Sequence, residues 1–171
     1  SNTNNKITGT VITPPTLSLN GGEEIKLGDT TLKIHHFGRV HTESDLVIEV
    51  VEAKTMYMGD TVMRRIANME DGSYMGTIKA LDAISKMPID VFIPMHGKHD
   101  GVQLILEGKE FMEVLYNRVS EYYDEGLSDF EMKPKIMEEP FMKEVASQWS
   151  GYESTIGKFI VTAMQEVEAN L

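Results

Sequence analysis

Three side chains in this 171-residue chain are of metal-holding types and stand at matching places in the pattern: His41, Asp60 and His96. His41 lies just before an apolar, β-branched run, and Asp60 just after the run that returns from it. His96 lies just after a third run, Val91 to Pro94. Strand ends fixed by one sheet can hold convergent ligands, because side chains on a rigid scaffold keep their mutual geometry. A single histidine at a strand end is more often a hydrogen-bonded surface group. The weight here rests on the ordered triplet.

The runs around these residues predict the elements that must position them. Thr31 to Phe37 alternates as a strand, with Leu32, Ile34 and His36 on one side and Lys33, His35 and Phe37 on the other. Leu46 to Glu52 is almost continuously apolar and reads as a strand covered on both faces. Glu52-Ala53-Lys54 turns the chain, and Thr55 to Met58 returns antiparallel to it. Upstream, Ile7 to Thr13 reads as a short strand closed by Pro14-Pro15, and Asn20-Gly21-Gly22 as a turn between strand-like runs.

Helical patterns dominate the later chain. Tyr74 to Lys86 follows an Asp71-Gly72-Ser73 start signal and presents Met75, Ile78, Leu81, Ala83 and Ile84 on one face. It links two strands, as a crossover does. Gly101 to Glu125 reads as a long amphipathic helix, Ser128 with Glu131 as a capping box, and Pro140 to Ser147 and Tyr152 to Ala169 as two more helices. Thr61 to Met69 reads as a short helix or a loop. The pattern divides into a polar lead at 1–5, a β-rich part with one crossover helix at 6–100, and a helical part at 101–171.

Composition narrows the partners. A chain of this length can bury a real core. The net charge of −11 opposes a surface that tracks phosphates, so nucleic acid is not an expected partner. The absence of cysteine excludes disulfides, thiolate catalysis and cysteine-bound zinc. No apolar run is long enough to span a membrane. The opening Ser-Asn-Thr-Asn-Asn-Lys reads as a scar or an internal cut, which would put any signal peptide upstream and leaves the compartment open between bacterial periplasm and cytoplasm.

His-Thr-Glu-Ser-Asp at 41–45, Met-Gly-Asp at 58–60 and Met-His-Gly at 95–97 occur in the order and spacing of the second half of the metallo-β-lactamase superfamily, which this chain resembles. Residues 151–171 resemble the last helix of its quinoprotein-associated and sulfur-oxidation-associated hydrolase-like members. The resemblance implies an α+β fold: the C-terminal half of an αβ/βα sandwich, a mixed sheet covered by helices. It implies that His41 serves a first zinc, Asp60 bridges two zincs and His96 serves the second, with Asp45 supporting the His-Thr turn. The implied chemistry is zinc-dependent hydrolysis of a small lactam, ester or thioester, in which a bound water loses its proton near neutral pH and attacks a polarised carbonyl.

The superfamily's first signature, His-x-His-x-Asp-His, is absent from the chain. The implied parent holds two zincs, whereas this chain offers three ligands divided between two ions and no catalytic residue of its own. Half a sandwich would also leave a sheet face bare, so a homodimer through that face is expected. The alternative is a catalytically silent half-domain that acts as an oligomerisation or interaction module.

Other candidates have plainer readings. His35 and His36 fit packing or solvent roles, and His99 a loop. Met56, Met58, Met63, Met69, Met75, Met87 and Met95 fit adaptable core filling. Arg64-Arg65 fits a solvated helix face, with contact to an anionic substrate as the alternative. Trp149 and Tyr152 fit anchors of the last helix to the sheet.

Overall fold

A computed structural model describes residues 9, 11–62, 64–65, 68–149 and 151–170. Five strands form one sheet in chain order: β1 (Glu24–Leu27), β2 (Thr30–His35), β3 (Val47–Val50), β4 (Thr55–Gly59) and β5 (Val91–Pro94). The first four pair antiparallel, and β4 pairs parallel with β5 across the crossover helix α1 (Tyr74–Ile84). Four helices follow: α2 (Val102–Asp124), α3 (Asp129–Met137), α4 (Pro140–Gln148) and α5 (Tyr152–Ala169). The mixed sheet with its helices is the expected α+β architecture. Among the described residues no helix is long and apolar enough to cross a membrane.

The register sorts the sheet into two unlike faces, since paired residues point to the same side. One face carries Val47, Met56, Met58 and Phe92, which are buried against Leu81 and Ile84 of α1 and Leu104 and Ile105 of α2. The other carries Leu32, Ile48, Val50, Tyr57 and Ile93, half-buried or exposed and part of neither buried cluster. Only Ile34 is fully buried on it, and Leu27 and Ile93 are 61% and 38% exposed. The expectation that β3 is covered on both faces is therefore corrected. Its continuous apolar run marks one face packed by helices and one left largely open.

A second buried cluster lies among the helices, with Phe111, Leu115, Met132, Trp149, Tyr152, Phe159 and Ile160 at its centre. Trp149 lies against Phe111, with ring centroids 4.8 Å apart. The aromatic pair Trp149 and Tyr152 thus anchors α5 to its sister helices rather than to the sheet. The capping box at Ser128 and Glu131 is formed as its sequence suggests.

The α1 boundary agrees with the start signal, because the Ser73 side chain accepts from the Gly76 amide. Its buried face differs from the expected one: Tyr74, Thr77, Ala80, Leu81 and Ile84 are buried, whereas Ala83 is exposed. The cause is a close backbone approach. A Cβ at Gly76 would lie 1.9 Å from the Arg39 carbonyl oxygen, and one at Gly72 would lie 2.7 Å from that of Val40. The first turn of α1 abuts the loop that carries His41, and this contact sets the helix's rotation. Of the expected strand Ile7 to Thr13, residues 7, 8 and 10 lie outside the described residues and residues 9 and 11–13 are not strand, whereas Glu24–Leu27 forms a strand after the Asn20-Gly21-Gly22 turn.

Candidate metal centre

His41, Asp60 and His96 sit at one end of the sheet, each held by a different local device. The His41 loop closes on Asp45. One carboxylate oxygen of Asp45 accepts the His41 and Thr42 amides, both at 2.7 Å, and the other accepts the Thr42 hydroxyl at 2.9 Å. Such a turn fixes the backbone from which the imidazole projects. The Ser73 amide, donating to the Val40 carbonyl at 2.8 Å, ties the same loop to the start of α1.

Asp60 follows Gly59, whose φ of +54° places it in the left-handed region that favours glycine. A register shift between Tyr57 and Gly59 re-aims the end of β4. His96 follows β5, and the Met95 amide donates to the Gly59 carbonyl at 2.9 Å, so the loops that carry Asp60 and His96 start from one shared hydrogen bond.

The three side chains meet at the Asp60 carboxylate. His41 Nε2 lies 4.0 Å from Asp60 Oδ2, and His96 Nε2 lies 3.6 Å from Asp60 Oδ1. Each oxygen therefore faces a different imidazole. Both separations are too long for hydrogen bonds. Ligands about 2.1 Å from one tetrahedral ion stand about 3.4 Å apart, close to the His96 separation. Asp60 Oδ1 and His41 Nδ1 are buried and have no hydrogen-bond partner among the described residues. A cation at Oδ1 would satisfy that oxygen, and imidazole with carboxylate is a donor set that zinc accepts.

The donor types fit zinc, but the donor count is partial. Each side of the carboxylate offers one nitrogen and one oxygen, and among the described residues no group of three or more metal-capable side chains is assembled around one point.

Inward from His41 and Asp60 runs a narrow apolar cleft lined by Val62, Met69, Leu81, Phe111 and Trp149, with Arg65 also on its wall. His35 and His36 stand apart from the centre: His35 Nε2 pairs with Glu49 Oε2 at 2.8 Å, and His36 Nε2 pairs with the Glu43 carbonyl at 3.0 Å. His99 is exposed in the loop after His96.

A model of the metallo-β-lactamase superfamily matches residues 4–96, a span that contains all five strands and all three converging side chains. The chain belongs to the metallo-β-lactamase superfamily. Among solved structures it is similar to a metallo-β-lactamase from Pontibacter korlensis, with a TM-score of 0.55 and 16% identity, over 63% of this chain and 53% of that one. The chain thus spans about half the length of that structure, and at this identity the likeness speaks for the fold. No curated protein matches.

Sequence reasoning missed what Arg64 does. Residues 61, 62, 64 and 65 are not helical, so the solvated helix face expected for Arg64-Arg65 is not formed. The Arg64 guanidinium donates instead to Asp100 Oδ2 at 2.9 Å and to Glu107 Oε2 at 3.0 Å. The sequence signal was an acidic residue placed just after His96 and another on the first turns of the next helix, meaningful only once the loops are folded together.

Proposed function

We propose that this superfamily member contributes one half of a zinc-dependent hydrolase centre that acts on a small lactam, ester or thioester. The observation that carries the reading is the Asp60 carboxylate, whose two oxygens each face a different imidazole. In this reading His41 and His96 would each hold an ion and Asp60 would serve both, while Asp45 keeps the His41 loop in place. Zinc, when bound, supplies the Lewis acidity that polarises a carbonyl and acidifies a water. The chain's own residues would hold those ions at the sheet end, beside the apolar cleft.

The remaining donors would come from a segment that carries the His-x-His-x-Asp-His signature, which this chain lacks, and we propose that a second copy of the chain covers the open sheet face. Leu32, Ile48, Val50, Tyr57 and Ile93 form an apolar band across the strands, and such a band favours association. Membership of a hydrolase-rich superfamily does not favour the silent interaction module.

Elemental analysis of zinc-equilibrated protein tests the metal reading. Zinc is expected in the wild-type chain, reduced in His41→Ala and in His96→Ala, and abolished in Asp60→Ala. A zinc-free wild type overturns it. Light scattering at micromolar concentration tests the association, and a monomer sinks it.

A further inference from the structure

Asp60 and His96 are borne on loops that leave two neighbouring parallel strands, and one arginine spans both loops further out. Arg64 lies four residues beyond Asp60. Its Nη2 donates to Asp100 Oδ2 at 2.9 Å, and Asp100 lies four residues beyond His96. The same guanidinium is anchored on its other side by Glu107 of α2, at 3.0 Å from Nη2 and 3.2 Å from Nε. Glu107 is itself fixed, since the indole N–H of buried Trp149 donates to its Oε1 at 3.1 Å.

The far end of the His96 loop is pinned at Asp100 in three further ways. Its amide and carbonyl pair with Phe92 of β5, at 3.1 and 2.8 Å, and its Oδ1 accepts the Gly101 amide that opens α2. Between these pins Gly97, with φ +105°, turns the backbone over the Arg64 stem; a Cβ there would touch Arg64 Cβ at 3.5 Å. The two ligand loops are thus joined near the sheet, by Met95 N–H to the Gly59 carbonyl, and again at their outer ends, by Arg64 to Asp100. His41 takes no part in this closure, because its loop is held by Asp45 and by the start of α1.

We propose that Arg64 is a positioning residue that fixes the spacing between Asp60 and His96, and so sets metal affinity on the His96 side of the carboxylate. The inference rests on the reading of these two residues as ligands. Partners one step removed from a metal typically change affinity 10- to 100-fold when lost. A planar fork bridging two carboxylates is a role that lysine's single point charge does not reproduce.

The test compares wild type with Arg64→Ala, Arg64→Lys, Asp100→Asn and the control Lys109→Ala. The control breaks a similar ion pair that joins α2 to α1, from Lys109 to Asp82 at 2.7 Å, and involves no residue of either loop. Asp100→Asn keeps an oxygen for the Gly101 amide while turning a donor toward Arg64, so it opens the clamp even if Arg64→Ala fails to fold. The two readouts are zinc affinity, by competition with a chromophoric chelator, and amide hydrogen exchange of the metal-free chain at Met95 to Asp100.

Arg64→Ala and Asp100→Asn are expected to speed exchange of the Met95 amide about tenfold or more and to weaken zinc binding about 10- to 100-fold. Arg64→Lys should fall between them and wild type, and Lys109→Ala should change neither readout. Unchanged Met95 exchange in the clamp variants overturns the proposal, as does faster exchange with unaltered zinc affinity. A wild type that takes up no zinc overturns the ligand reading instead, and the metal-free exchange still decides whether Arg64 sets the loop spacing.

Discussion

The Glu166 carboxylate on α5 accepts the Tyr74 amide at the first turn of α1, at 2.6 Å, across 92 positions of sequence. It also takes the Met75 amide at 3.1 Å and the Ser73 hydroxyl at 3.0 Å. A distant carboxylate therefore satisfies helix N–H groups that have no partner within the helix, where the helix dipole favours negative charge. Because this turn of α1 abuts Val40 and Arg39, the last helix indirectly braces the His41 loop.

Replacing Glu166 with alanine should cost about 1–3 kcal/mol of stability, since buried amides lose a charged acceptor. Glutamine, which keeps an acceptor oxygen, should cost less. Urea denaturation of the two variants provides the comparison.

Gly76→Ala should destabilise the fold although alanine is better in a helix interior by about 1 kcal/mol. The new methyl would collide with the Arg39 carbonyl, a backbone atom with little room to retreat. A thermal midpoint equal to or above that of wild type would refute this account of how the His41 loop meets α1.

Removing the Asp45 carboxylate, as in Asp45→Ala, should cost about 1–3 kcal/mol by leaving the His41 and Thr42 amides without their acceptor. Zinc retention should fall with it, in contrast to a Ser44→Ala change at an exposed position of the same loop. Chelator competition separates the two effects from general unfolding.

Acid sensitivity should trace in part to Glu52. The Thr31 hydroxyl and amide hold its carboxyl down from an ordinary 4.5 to about 2. A depressed folded value means a stabilising contribution that is complete above about 4.5 and is lost as the pH falls toward about 2. Glu52→Gln should flatten the stability profile across that window, and carbon-detected titration of the Glu52 carboxyl should find it ionised at pH values where other glutamates have taken up protons.

What was legible in the sequence was local. Val91–Pro94 and Tyr152–Ala169 have the bounds their patterns suggest, and Ser128 with Glu131 caps its helix. These features depend on neighbouring residues alone. The meeting of His41, Asp60 and His96 was also foreseeable, because a motif order ties each to a strand end. By contrast, the rotation of α1 depends on how closely Gly76 approaches the Arg39 carbonyl, which apolar periodicity does not encode. Arg64, Glu107 and Trp149 form one network only after a loop, a helix and a helix terminus are packed together, and singly each reads as an ordinary surface or core residue.

The backbone pairing of Asp100 with Phe92 has a further consequence. It occupies the outer rim of β5, so the described sheet presents one free strand edge, along β1. Open-ended stacking of sheets into a fibre needs two such edges on every molecule. With one such edge among the described residues, edge-to-edge joining of this sheet has no second edge from which to propagate.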